Sequence, residues 1–447
     1  MQNDNTTAAW SEKFSMSSTQ VDRSQLSSLS PSLANGDAER LASPKNFALG
    51  REHSDRLLRH LILDDIQSSG GKGPLWFQAA KALFRPDGGA SDAKDVVIGE
   101  DGVGLDSLAR LSAASAVSRF FDLGSAGLDD YLLLEPSLDG WCGLVLKRLK
   151  EASGSPVLVF QTSGSTDSPK MVTKPVSEMF IEGTALGSVG VMREVKRIVS
   201  LAAPTHVFGF IFSVIMAEIR TVPVIDCALR SPISVMKGLR PGDVLVATPF
   251  QWKFLMETGV SFPNGVGGVS SGAALPEQTW NDCSNAGLAT MTEVFGSTET
   301  GGLGYRTAPD SPFAFLPHLD VSAETLSYAG SGVPVPLQDE LERIGEDGFT
   351  PKGRLDHAVQ VAGVNVSLSR VADTLRQCDL VADAAVRVSG ARLKAYVVPA
   401  DPLMPDEQIM SALHAHATRL LEPVARPIAF SIGAKLPLNE MGKLSDW

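Results

Sequence analysis

Cysteine is scarce in this sequence: four residues, Cys142, Cys227, Cys283 and Cys378, are spread far apart along 447 positions. They form no Cys-x-x-Cys pair and no Cys/His cluster at metal-ligand spacing, which excludes a zinc-finger scaffold and a dithiol redox motif. So few thiols also exclude a fold stapled by disulfides, and they fit a reducing, cytoplasmic compartment. Positive charge is in deficit as well, with 39 Lys and Arg against 51 Asp and Glu and a formal net charge of -12. Binding to a polyanion needs clustered cations that displace counterions, so this balance argues against nucleic acid as a partner. Long apolar runs are missing. The most apolar stretch, "VFGFIFSVIMA", is bounded by His206 and Glu218 and falls short of the ~20 residues of a spanning helix, so it predicts a buried core helix and no membrane association. A basic start followed by an apolar segment is lacking at the N-terminus, so no secretory leader is expected.

The chain is long enough for two domains, because single cores stop growing near roughly 250–300 residues. Residues 1–45 are rich in Ser, Thr, Asn and Asp and poor in large apolar side chains; they cannot offset chain entropy by burial and are expected to form a disordered tail. From about residue 156, short β-rich runs ("PVLVFQ", "RIVSLAA", "VPVIDC", "DVLVATP", "TMTEVFG") alternate with helix-like stretches. That is the habit of buried parallel strands in an α/β fold, where chemistry sits at strand ends. The pattern changes near "PKGRLDH" at 351–357. The expected organisation is a large α/β domain over 46–355, with a helical segment at about 100–150, and a small α+β domain over 356–447.

Four short stretches carry candidate chemistry. In "QTSGSTDSPK", residues 161–170, Ser163, Gly164, Ser165 and Thr166 gather hydroxyls and exposed N–H groups on one loop, and Lys170 adds a cation. Between a buried strand and a helix, such a loop suits a phosphate group; the bland alternative is a Ser/Gly-rich surface turn. A Walker A loop needs Gly-Lys followed by Ser or Thr, whereas Lys170 lies between Pro169 and Met171, so the GTPase and kinase readings fail. In "VFGSTETGG", Thr298 and Glu299 follow a predicted strand. The carboxylate there either ligates Mg²⁺, which takes one or two carboxylates plus phosphate oxygens, or is a solvated loop charge. "KGRLDH" offers Arg354 and Asp356 at the domain boundary, where a few residues must absorb any interdomain rotation. "LPLNEMGKLSDW" places Lys443 after Gly442 close to the C-terminus.

Taken in order, and with "SLAAPTHVFGF", "VSSGAALP" and "GFTPKGRLDHAVQVAGVNV", these stretches resemble the adenylate-forming superfamily of acyl- and aryl-CoA ligases over about residues 100–447. The stretches "GLDDYLLLEPSLDGW", "TSGSTDSPK" and "FGSTETGGLGYR" look like the compact 4-coumarate-CoA ligases associated with activating the photoactive yellow protein chromophore. The resemblance implies a large N-terminal adenylation domain joined by a hinge to a small C-terminal lid. It also implies ATP, Mg²⁺ and coenzyme A as the reacting partners of an aromatic carboxylate, expected to be 4-coumarate or a related hydroxycinnamate.

Residue by residue, the resemblance makes Thr162 to Lys170 the phosphate loop, Thr298 a phosphate contact, Glu299 the Mg²⁺ ligand and Lys443 the adenylation lysine. Ser271, Gly272 and Ala273 would line the adenine side. Asp339, in "PLQDELE", is the candidate for the ribose hydroxyls although the family's Thr-Gly-Asp is missing; Arg354 would approach the same ribose, and Asp356 would be the hinge. His206 would border the carboxylate and thiol path, unless it is a hydrogen-bonded core histidine. Phe208, Phe250, Trp252 and Val294 are candidate lining of the acid pocket. Asp167 stands where glycine is usual, Gln360 where lysine is common, and Arg370 and Ala372 replace glutamates, which motivates a non-catalytic nucleotide-binding relative as an alternative. Another alternative passes the acyl group to a carrier-protein phosphopantetheine. In "GVGLDSLARLSAASAVSRFF", Asp106–Ser107 looks like a carrier attachment site, but Asp106 also serves as a helix cap with Leu108, Leu111, Ala114, Val117 and Phe121 as the apolar face.

Overall fold

The computed structural model describes residues 49–68, 74–84, 90–94, 96–151, 156–162, 170–322, 325–328, 334–355, 359–361, 364–390 and 392–437. It opens with helices. Arg51–Ser68 buries Leu57, Leu58, Leu61, Ile62 and Ile66 against Ser107–Phe121 and Leu138–Glu151. Asp106 caps Ser107–Phe121, its Oδ1 accepting from the Ala109 N–H at 2.8 Å, an interaction generally worth about 1 kcal/mol. Ser107 itself is exposed. The apolar face is not quite the one expected: Ala113, Ala114, Val117, Phe120 and Phe121 are buried, whereas Leu108 and Leu111 face outward at 74% and 47% exposure.

Strand β1 (Val157–Thr162) is followed by β2 (Lys170–Pro175), and the two pair antiparallel from Val157↔Pro175 to Thr162↔Lys170. "PVLVFQ" is therefore one arm of a separate hairpin and not a strand of the parallel sheet. The loop it leads into returns to a strand and not to a helix. After the helix Val176–Gly187 come β3 (Arg197–Ser200), β4 (Val224–Asp226), β5 (Asp243–Ala247), β6 (Gly267–Ser270) and β7 (Thr290–Ser297), all parallel. β8 (Gly301–Arg306) and β9 (Phe313–Phe315) turn antiparallel. β10 (Leu319–Val321), β11 (Thr325–Tyr328) and β12 (Val335–Pro336) form a small sheet apart. β13 (Asp339–Ile344) and β14 (Gly348–Arg354) rejoin the edge, giving nine strands in the order 13-14-9-8-7-6-5-3-4.

Alternate residues of the parallel strands feed different cores, as the two-residue period of a strand requires. Ile198, Val244, Val246 and Val269 join one cluster with the N-terminal helices, while Val199, Leu245 and Ala247 join Trp252, Leu255 and Trp280 in another. Both faces are covered, which is why these strands read as continuous apolar runs. The expected buried helix also forms. It runs from Val207 to Arg220 with a π-helical stretch at Ile211–Ile215, and every residue of that stretch is buried. No helix among the described residues is long and apolar enough to cross a membrane. All four cysteines are buried free thiols.

The C-terminal part has a core of its own. β15 (Val359–Val361) and β16 (Val364–Val366) form a hairpin, and β17 (Val381–Ser389), β18 (Arg392–Pro399) and β19 (Pro427–Ile432) form a mixed sheet. With the helices Leu368–Arg376 and Asp406–Leu420 they bury Val361, Val371, Leu375, Leu393, Val397, Ile409 and Leu413 together. The chain is thus a large α/β unit followed by a smaller α+β one, as the alternation of segments implied.

Candidate active site

Ligands in open parallel sheets bind outside the carboxyl ends of the strands, and three of the expected groups lie there. His206 follows β3, Ser271 to Ala273 follow β6, and Thr298 and Glu299 follow β7. Because β6 and β7 are neighbours, the adenine-side and phosphate-side candidates come from adjacent strand ends. The Ser271 hydroxyl donates to the Val294 carbonyl at 2.7 Å, and Gly272 has φ +90°, a conformation that glycine adopts without penalty. This corner is tied directly to β7.

The turn between β7 and β8 is closed on itself. The Ser297 N–H donates to Thr300 Oγ1 at 3.1 Å, and the Thr300 N–H returns a bond to Ser297 Oγ at 3.1 Å. Between them Thr298 and Glu299 are half-buried. Lys170, at the start of β2, reaches across 129 residues of sequence to Glu299, Nζ to Oε1 at 3.3 Å. Lys170 and the candidate metal carboxylate therefore lie side by side. Glu299 has 17% of its side chain exposed. No group of three or more His, Cys, Asp or Glu gathers among the described residues; a single carboxylate beside a bound triphosphate fits Mg²⁺, which draws most of its ligands from phosphate and water.

Sequence reasoning missed what lies beneath this turn. Lys174, on the same face of β2 as Lys170 by its four-residue offset, is buried at 3% exposure. Its Nζ donates to the Glu299 carbonyl at 3.0 Å and to the Tyr328 hydroxyl at 3.3 Å. Tyr328 in turn donates to the Thr300 carbonyl at 2.9 Å. Glu182, from the helix Val176–Gly187, accepts the Gly302 N–H at 2.8 Å; burial pushes its carboxyl up to about 7. Burial likewise pulls Lys174 down, against the attraction of Glu182, Glu178 and Glu299. His318 completes the group. It is 2% exposed, its ring lies 5.7 Å from that of Tyr328, and burial together with Lys174 lowers its imidazole to about 4. The spacing of Lys170 and Lys174 was the one local signal for this cluster.

Several expected residues fall elsewhere. His206 is exposed and starts the helix at Val207, so the core-histidine alternative is overturned. The preceding Thr205 is anchored, its hydroxyl donating to Asp64 Oδ2 at 2.7 Å. Trp252 is fully buried with Nε1 donating to the Val269 carbonyl at 3.3 Å; it belongs to the core behind the sheet and does not line an acid pocket. Phe250, two positions earlier on the same helix, is 45% exposed, whereas Phe208 packs against the first core and Val294 is part of it. Asp339 and Arg354 are cross-strand partners on β13 and β14, so the two ribose candidates do meet. Thr162 ends β1 opposite Lys170, and its side chain lies outside the described residues. So do Ser163, Gly164, Ser165, Thr166, Asp167, Asp356 and Lys443.

A two-sided parallel sheet with its polar groups at the strand ends, joined to a small α+β unit, is the architecture of an adenylate-forming enzyme. The comparisons agree: the profile of the AMP-binding enzyme family matches residues 106–343, and the chain belongs to that family. It is 38% identical to a 4-coumarate–CoA ligase of Rhodobacter capsulatus over 88% of this chain and 100% of the relative. A 4-coumarate–CoA ligase of Cereibacter sphaeroides is 37% identical over 92% of this chain and 100% of the relative. Among solved structures, an amide bond synthetase from Marinactinospora thermotolerans shares the fold at 15% identity and a TM-score of 0.54, covering 88% of this chain and 92% of that one.

Proposed function

We propose that this protein is an ATP-dependent acid–thiol ligase that activates an aromatic carboxylic acid, a hydroxycinnamate such as 4-coumarate, as its acyl-adenylate and transfers it to coenzyme A. The observation that carries the reading is the meeting of Lys170 and Glu299 at 3.3 Å, at the carboxyl end of a parallel sheet whose full-length relatives are 4-coumarate–CoA ligases. In the first half-reaction the substrate carboxylate attacks the α-phosphorus of ATP and pyrophosphate leaves. In the second the thiol attacks the acyl carbon and AMP leaves.

The chain's own groups divide this work. Ser163, Gly164, Ser165, Thr166 and Lys170 surround the triphosphate, Thr298 contacts a phosphate oxygen, and Lys443 is brought in from the small domain. Such positioned cations and donors provide most of the catalysis of phosphoryl transfer. Glu299 would hold Mg²⁺, which supplies charge neutralisation at the phosphate oxygens. Ser271, Gly272 and Ala273 flank the adenine, Asp339 and Arg354 the ribose, and His206 the path of the carboxylate and thiol. Residues 46–355 form the adenylation domain and 356–447 the lid, hinged at Asp356; the reaction takes place in the cytoplasm.

ATP–pyrophosphate exchange across a panel of acids is the test. Exchange with hydroxycinnamates is expected, and no exchange with any acid overturns the reading in favour of a non-catalytic nucleotide-binding relative. Thioester formation with free coenzyme A separates this ligase from the carrier-loading alternative.

A further inference from the structure

The hairpin β1–β2 and the β7–β8 turn are distant in sequence, and two lysines of one strand join them differently. Lys170 meets the Glu299 side chain and is half-exposed. Lys174 meets the Glu299 main chain and is buried. A side-chain ion pair at the surface breaks and reforms readily. A buried ammonium donating to a carbonyl does not, because letting go leaves a charge without a partner in a medium that solvates it poorly. Tyr328 extends the same clamp to Thr300, and Glu182 extends it to Gly302. Three stations of the turn, 299, 300 and 302, are thus held from below by side chains of β2, β11 and the helix after β2. Gly301 leaves room for this: at φ +70°, an added Cβ would lie 2.4 Å from Glu182 Oε2 and 3.0 Å from the Tyr328 hydroxyl.

We propose that Lys174 is a positioning residue, which pins the Thr298–Glu299 turn to the strand carrying Lys170 and so keeps the turn's side chains aimed at the triphosphate. The assignment rests on the adenylation reading, since it takes Thr298 and Glu299 as the groups being aimed. Lys174 touches no substrate itself. Its chemistry is that of a fixed donor to main-chain oxygen, and its position on the hairpin makes the two phosphate-binding segments move as one body.

The test compares Lys174→Met, Tyr328→Phe and Glu299→Gln with the parent enzyme. For Lys174→Met, kcat/KM for Mg-ATP in ATP–pyrophosphate exchange is expected to fall by about tenfold to a hundredfold, with the KM for the acid changed by less than about twofold. In the Glu299→Gln background the same change should cost less than about threefold, since residues acting through one another are not additive. Tyr328→Phe, which leaves the lysine in place, should show the same selectivity for Mg-ATP at smaller size. A purely structural lysine predicts lower thermal stability with unchanged KM and kcat in the folded fraction, and losses that multiply with Glu299→Gln; either result overturns the proposal. Amide hydrogen exchange over residues 296–302 of the free protein supplies a readout without turnover. Faster exchange by about tenfold in Lys174→Met, or in Tyr328→Phe should the first variant not fold, is expected, and unchanged exchange refutes the clamp. Failure of the parent enzyme to exchange pyrophosphate with any acid would instead sink the adenylation reading, while the amide measurement would still decide whether Lys174 holds the turn.

Discussion

Replacing His318 by leucine should remove a large part of the protein's sensitivity to acid. The imidazole is 2% exposed, and neither ring nitrogen has a hydrogen-bond partner among the described residues. Burial, with Lys174 nearby, lowers it from 6.5 to about 4. Between those values the unfolded chain binds more protons than the folded one, so this group's contribution to stability is complete above the unfolded value and is lost as pH falls toward the folded value. At about 1.36 kcal/mol per pH unit the loss is about 2 kcal/mol near pH 5 and about 3 kcal/mol near pH 4. Glu182 in the same cluster acts with the opposite sign. Its carboxyl is raised from 4.5 to about 7, so its contribution is complete below the lower value and declines as pH rises through the higher one. His53, on the helix Arg51–Ser68, is also lowered to about 4 by burial and by Arg56 and has the sign of His318. The difference between parent and His318→Leu cancels both of these other groups. Urea unfolding of the two proteins from about pH 7.5 down to about pH 4.5 should show near-equal stability at the top, because a buried imidazole without partners gives up little, and a relative gain of about 2.5 kcal/mol for the variant at the bottom. Parallel pH profiles would refute the reasoning: they would mean that His318 is solvated or partnered in solution.

Other perturbations address the turn and the flanking helix. Glu299→Gln and Lys170→Met should each abolish most pyrophosphate exchange while shifting unfolding free energy by less than about 1 kcal/mol, since the lysine is half-exposed and such ion pairs contribute little; a large stability loss with retained exchange would reverse the assignment from catalytic to structural. Gly301→Ala places a methyl group against Glu182 and Tyr328 at a left-handed backbone position and should cost about 1–3 kcal/mol in denaturant unfolding together with a raised KM for Mg-ATP; a silent variant would show that the turn can shift freely. Asp106→Ala should lose about 1 kcal/mol from the missing cap, and intact mass after exposure to a phosphopantetheinyl transferase should be unchanged in the parent; a mass gain at Ser107 would favour the carrier reading.

The family, the α/β class, the buried helix at Val207 and the presence of a smaller α+β unit towards the C-terminus were legible in the chain itself, because each depends on local composition, short-range period or ordered motifs. The strand-end positions of Ser271, Thr298 and Glu299 were legible for the same reason: a strand end is marked by the apolar run before it. What the chain could not announce was pairing. The loop after β1 was expected to enter a helix, yet it returns along β1 as β2, since residues 170–175 find their hydrogen bonds on the preceding strand. Leu108, Leu111 and Trp252 were misplaced because helical spacing and aromatic character say that a side chain is apolar and not which surface covers it. Lys174, Glu182, Tyr328 and His318 come from four separate segments. Their altered ionisation exists only once the sheet, the helix and the hairpin exclude water around them. Burial and cross-strand contact are properties of the assembled chain, and they decided how the site is held.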